Sequence, residues 1–167
     1  MLITGYHGTT EERANEILMS KKYKVSKGEK EWLGTGIYFY PDINDAYNWR
    51  SCDTILHTII KIEDDELLDI DTPEGQAVYN EILIYLLSLH FKDLELSSPQ
   101  KNQCAVINLI WNTYEKVKVI SASFATEKRK INTLIDIRKR RKEFCVKSND
   151  NIVLIQKIKK GDLDDKC

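Results

Sequence analysis

Tyr6-His7-Gly8-Thr9-Thr10 and Gly34-Thr35-Gly36-Ile37-Tyr38-Phe39 are the two stretches on which the reading of this chain turns. The first ends a short strand, Leu2 to His7, that breaks at a glycine and passes into a helix. Thr9 is expected to cap that helix, because Glu12 follows at capping-box spacing. Ala14, Ile17 and Leu18 then fall on one face before the helix ends near Lys21. The second stretch is a glycine-punctuated loop that enters a strand over Gly36 to Tyr40 and stops at Pro41. Asp42 or Asn44 follows as the cap of a short helix carrying Ala46, Tyr47 and Trp49. Between the two stretches, Lys22 to Trp32 is polar and reads as an exposed loop.

Working outward, Thr54 to Ile62 is dense in β-branched residues and predicts the clearest strand, with a shorter one at Leu67 to Ile70. Glu74 to Lys92 predicts a helix whose apolar face holds Val78, Ile82, Leu83, Leu86, Leu87 and Leu89. Gln100 to Tyr114 predicts a second, carrying Val106, Leu109, Ile110 and Trp111. Val117 to Phe124, Phe144 to Val146 and Ile152 to Ile158 complete the strands. Strands at both ends with helices between them predict an α+β fold in which distant segments pair. The expected organisation is one domain over residues 1–160, a helical insertion at about 74–115, and a polar tail over 161–167.

The 167 residues suffice for one domain with a core. With 42% hydrophobic and 31% charged residues, the composition is that of a folded chain and excludes general disorder. No apolar run is long enough to cross a membrane, and the start MLITGYHG has no features of a secretory signal, so a cytoplasmic protein is expected. Cys52, Cys104, Cys145 and Cys167 are scattered without a C-x-x-C pair, and neither His57 nor His90 has a partner at ligand spacing. No metal site is expected. G-x-S-x-G and P-loop patterns are missing, which leaves a hydrolase triad or a nucleotide kinase without support.

Charge is nearly balanced, 25 basic against 26 acidic side chains, so no net field draws the whole protein to nucleic acid. Its distribution is uneven. Glu63-Asp64-Asp65-Glu66 is an acidic clump, and Arg138-Lys139-Arg140-Arg141-Lys142 runs directly into Glu143. That basic run suits an acidic protein surface, a nucleic-acid backbone or a pyrophosphate, and the bland alternative is a solvated charged face.

The His-Gly-Thr and Gly-Ile-Tyr-Phe motifs, with Glu143-Phe144-Cys145-Val146 near the C-terminus, resemble the ADP-ribosyltransferase superfamily in its poly(ADP-ribose) polymerase-like, His-Tyr-Glu branch. The resemblance covers about residues 1–50 and 115–158 and implies a split β-sheet core with peripheral helices. It implies NAD as substrate and His7, Tyr38 and Glu143 as the triad. The cofactor would be lined by His7, Gly8, Thr9, Gly36, Tyr38 and Trp49. Gly8 would offer its backbone to the nicotinamide carboxamide, Tyr38 would stack on the ring, and Glu143 would stabilise the ribosyl cation. Arg138, Lys139, Arg140 and Arg141 would face the acceptor. The family's serine before alanine in the short helix has no counterpart at Asp45-Ala46, which leaves Trp49 as the expected second stacking aromatic. The implied activity is mono-ADP-ribosylation of a protein or nucleic acid, in the manner of small bacterial or phage effectors and toxins, with an antitoxin or inhibitor as partner. The same triad would serve an NAD glycohydrolase, and a silent NAD- or ADP-ribose-binding domain is the alternative from a different class.

Overall fold

The computed structural model of the chain describes residues 1–29, 31–49, 52–89, 98–125 and 140–158. In chain order the elements are β1 (Leu2–Thr9), α1 (Glu11–Ser20), β2 (Ile37–Phe39), α2 (Ile43–Tyr47), β3 (Thr54–Lys61) and β4 (Leu67–Asp69). They continue with α3 (Pro73–Ser88), α4 (Pro99–Thr113), β5 (Val119–Ala125), β6 (Arg140–Val146) and β7 (Ile152–Ile158). The protein is α+β, with two sheets and four helices among the described residues.

One sheet has the order β1-β3-β7 and the other β2-β6-β5-β4. All neighbours are antiparallel except β4 and β5, which run parallel. A parallel pair needs a crossover, and α3 and α4 supply it. Among the described residues a single bridge, Tyr6 with Tyr40, joins the two sheets. The first core lies between them. Leu56, Ile60 and Ile155 of one sheet meet Ile37, Phe39, Val119, Phe144 and Val146 of the other, with Ala14 and Ile17 of α1 closing the side.

Three expectations need correction. The cap of α1 is Thr10, not Thr9: the Thr10 hydroxyl accepts from the Arg13 amide at 3.4 Å. Thr9 stays in β1, buried, and pairs with Thr54. The strand that holds Glu143 begins at Arg140 rather than Phe144, because Arg140, Arg141 and Lys142 pair in register with Ala125, Phe124 and Ser123 of β5. The central helices, expected as an insertion at about 74–115, contribute a core of their own. Val106, Ile107, Ile110 and Trp111 of α4 and Ile82 and Leu86 of α3 form a second core with Leu33, Ile120, Ala122 and Cys145. They cover the face of the four-stranded sheet that the first core leaves open. The apolar face expected on α3 is used only in part: Ile82 and Leu86 are buried, while Leu87 and Leu89 are exposed. The tail over 161–167, and the end of the first predicted central helix, lie outside the described residues.

Candidate functional site

β1, β2 and β6 lie side by side, and this brings His7, Tyr38 and Glu143 from three distant parts of the sequence onto neighbouring strands. Tyr6 exchanges two backbone hydrogen bonds with Tyr40, at 2.8 and 2.9 Å. Backbone polar groups of an antiparallel strand alternate sides. His7 and Thr9 pair toward β3, opposite Leu56 and Thr54, so the N–H and C=O of Gly8 point toward β2, one step past the last bridge. Among the described residues no backbone pairing joins Gly8 to β2. The sheets fork there, and Gly8 lines the fork.

Out of the sheet, on the side of Tyr40, Gly8 is covered by α2. A Cβ at this position would stand 2.1 Å from the Ala46 carbonyl oxygen and 3.1 Å from Cys52 Sγ. The glycine is therefore required by packing whatever else it does. Asp42 caps α2, its carboxylate accepting from the Asn44 amide at 2.8 Å. The chain leaving α2 then carries Trp49 to the Tyr40 ring, with centroids 6.3 Å apart and planes at 45°.

His7 reaches across the fork. Its Nδ1 lies 2.9 Å from the Tyr38 carbonyl oxygen, an acceptor, so Nδ1 carries the proton. Burial lowers the pKa of the ring, with the Arg13 charge adding to this and the Tyr38 carbonyl opposing it. A neutral ring with Nδ1–H leaves Nε2 as an acceptor. Strand alternation sends the imidazole to the side of Tyr23 and Phe39, 5.1 and 5.9 Å away. His7 thus approaches the fork from the face opposite to Glu143.

Tyr38, Tyr40, Glu143 and Arg141 share the other face. Tyr38 stands opposite Cys145. Its hydroxyl donates to the Gly34 carbonyl at 2.7 Å and accepts from the Leu33 amide at 2.9 Å. The glycine-rich loop before β2 is thereby tied to the strand it enters. Asn108 of α4 adds a second tie, its Oδ1 accepting from the Thr35 amide at 2.7 Å. Gly36 is fixed by close approach: a Cβ there would lie 2.2 Å from Cys145 Sγ.

Glu143 is 6% exposed. Its neighbour on β5 is Ala122, whose methyl offers no competing polar group. Arg141 donates to the same carboxylate oxygen, Oε1, from Nε at 3.1 Å and Nη2 at 2.9 Å. The guanidinium also sits 5.0 Å over the Tyr40 ring, within cation–π range. Burial raises the carboxyl above its ordinary value, and the Arg141 charge and hydrogen bonds and the Tyr40 hydroxyl oppose that. Tyr40 is itself pushed upward by burial and by the Glu143 charge.

The predicted residues are therefore distributed as follows. Gly8, Tyr38 and Glu143 line one face of the fork, and His7 enters from the other. Trp49 pairs with Tyr40 rather than with Tyr38. Thr9 and Gly36 have packing roles. Arg140 and Arg141 belong to β6, and Arg141 is committed to Glu143. Lys142 points to the opposite face, where its ammonium meets Asp69 at 2.6 Å and Asp71 at 3.6 Å. Arg138 and Lys139 lie outside the described residues. Tyr40 and Asn108 escaped the reading of the sequence. Tyr40 had a signal, since it stands two residues from Tyr38 on the same strand face.

Among the described residues no group of three or more His, Cys, Asp or Glu is placed to hold a metal ion, and no helix is long and apolar enough to cross a membrane. The geometry defines an α+β protein with a forked pair of sheets and a buried, arginine-paired carboxylate beside two aromatic rings. No family model matches the chain. It is similar to an uncharacterised protein of Methanocaldococcus jannaschii, 30% identical over an alignment of 127 positions that covers 68% of this chain and 58% of that protein. The chain thus spans little more than half the length of the curated relative it matches.

Proposed function

We propose that the chain is an NAD-dependent mono-ADP-ribosyltransferase with an ADP-ribosyltransferase-like split-sheet core. The observation that carries this reading is the placing of Gly8, Tyr38 and Glu143 on the neighbouring strands β1, β2 and β6 beside the fork. Cleaving the nicotinamide–ribose bond requires a held carboxamide, a stacked ring and a negative charge near the ribosyl carbon. In this reading Gly8 supplies an outward N–H and C=O for the carboxamide. The Tyr38–Tyr40 rung supplies one wall for the ring and Trp49 the other.

A ring sandwiched between Tyr40 and Trp49 needs parallel planes about 7 Å apart, two stacking distances of ~3.5 Å. The present 6.3 Å and 45° call for a turn of the exposed Trp49 and less than ~1 Å of widening. His7 Nε2, as an acceptor, suits a ribose hydroxyl. Glu143 faces the carbon that becomes cationic. The bond between that carbon and the nicotinamide nitrogen breaks with its electron pair leaving on nicotinamide. A nucleophile of the acceptor then bonds to the carbon and loses its proton.

The test is incubation of the protein with adenylate-labelled NAD and cell lysate, followed by separate nuclease and protease treatment. Label on a macromolecule supports transfer, and the treatment that removes it identifies the acceptor class. Label found only in free ADP-ribose replaces transfer with NAD hydrolysis. NAD bound without nicotinamide release replaces both with a binding domain.

A further inference from the structure

Arg141 and Glu143 are alternate residues of β6 and project to the same face. An arginine facing a carboxylate ordinarily uses two donors on two oxygens. Here both donors, Nε and Nη2, converge on Oε1. Oε2 takes no hydrogen bond from Arg141. The guanidinium is braced from behind by the Tyr40 ring, and its side chain is only 25% exposed against 7% for Glu143.

We propose that Arg141 is the positioning residue for Glu143: braced on Tyr40, it grips Oε1 and holds the carboxylate charged at the fork. Its catalytic use rests on the ADP-ribosyltransferase reading given above. A buried carboxylate without a cation would take up a proton and lose the charge that the ribosyl cation needs. The charged and titratable groups around it make Arg141 decisive. From β2 it meets the Tyr40 hydroxyl, and from α2 the Asp45 carboxylate, which disfavours its charge. Cys145 lies along its own strand, and Ala122 on β5 contributes none. Arg141 is the cation in that set. Lysine would keep the charge but lose the planar two-donor grip and the stacking on Tyr40.

The test uses the full chain labelled with carboxyl-13C glutamate, the Glu143 signal being assigned by its loss in Glu143→Gln. Its titration midpoint is measured in the wild type, Arg141→Gln and Arg141→Lys, with nicotinamide release followed over the same pH range. In Arg141→Gln the Glu143 midpoint rises by about one to three pH units, and the acid limb of release moves with it. In Arg141→Lys the midpoint stays near wild type, while release falls roughly 10- to 100-fold through lost alignment. An unmoved midpoint in a folded Arg141→Gln protein overturns the proposal. If that variant does not fold, wild-type release by Arg141→Lys overturns it instead. A moved midpoint with no release by any protein upholds the grip on Glu143 and removes only the enzyme reading.

Discussion

Gly8→Ala is the perturbation whose size can be worked most directly from the structure. The added Cβ would stand 2.1 Å from the Ala46 carbonyl oxygen, against an ordinary carbon–oxygen contact of roughly 3.3 Å. Something must therefore yield by about 1 Å. It cannot be a flexible side-chain tip, because the obstructing atom is backbone of α2. Ala46 is fully buried, so α2 has to lift as a unit from β1. Overpacking of this kind costs roughly 1–3 kcal/mol, or a fall of about 2–12 °C in Tm for a chain of this size. Because α2 leads directly to Trp49, the same shift disturbs the Tyr40–Trp49 pair and weakens NAD binding. Gly28→Ala is the matched control: its Cβ would meet the Glu31 carboxylate at 2.9 Å, the far end of a side chain that can move away, so a change within about 0.5 kcal/mol is expected. Chemical unfolding and NAD titration calorimetry on both variants measure the contrast. Equal stability of the two, with NAD affinity unchanged in Gly8→Ala, would refute the packing of α2 on Gly8 and its link to the site.

Other perturbations have equally definite outcomes. Tyr38→Phe removes the hydroxyl that ties the Leu33 amide and the Gly34 carbonyl, leaving partly buried groups without that partner. A loss of about 1–3 kcal/mol is expected in urea unfolding, with faster amide exchange over Leu33–Gly36, and protection equal to wild type would contradict the tie. His7 is held neutral, its pKa depressed by burial, so its contribution to stability is fully present above about pH 6.5. That contribution is lost as pH falls from there through the lowered folded value, because the unfolded chain takes up the proton first. The stability difference between wild type and His7→Gln should therefore shrink as pH falls through that window, and a constant difference would show that the ring does not titrate as argued.

Much of the fold was legible because its signals are local. The β-branched run around Thr54–Lys61, the Asp42 cap and the stop at Pro41 each act within a few residues. The cap at Thr10 rather than Thr9 was not separable from sequence, since two adjacent threonines offer the same hydroxyl and only the exit angle from β1 chooses between them. The charged start of β6 was illegible for a different reason. Arg140, Arg141 and Lys142 look like a solvated run until β5 and β4 are beside them, and the partners of Lys142, Asp69 and Asp71, lie far away in the chain. The role of α3 and α4 was hidden likewise, because an apolar face announces burial without naming what covers it. Within the site, the positions of Gly8 and Glu143 came from motifs, whereas Tyr40 opposite Glu143 required the register of β2 on β6. By sequence Arg141 belongs to a basic run expected to face an acceptor, and strand alternation turns it to its own Glu143.

In the proposed reaction Glu143 at the sheet fork drives departure of nicotinamide from NAD. The most direct test is nicotinamide release by purified wild-type protein and by Glu143→Gln, with NAD affinity measured on both. Gln keeps the shape of the side chain and removes its charge. The wild type should release nicotinamide and the variant should do so roughly 100- to 1,000-fold more slowly, with NAD affinity changed only a few-fold. Equal release by both proteins, or none by a wild type that is folded and saturated with NAD, would contradict that role for Glu143.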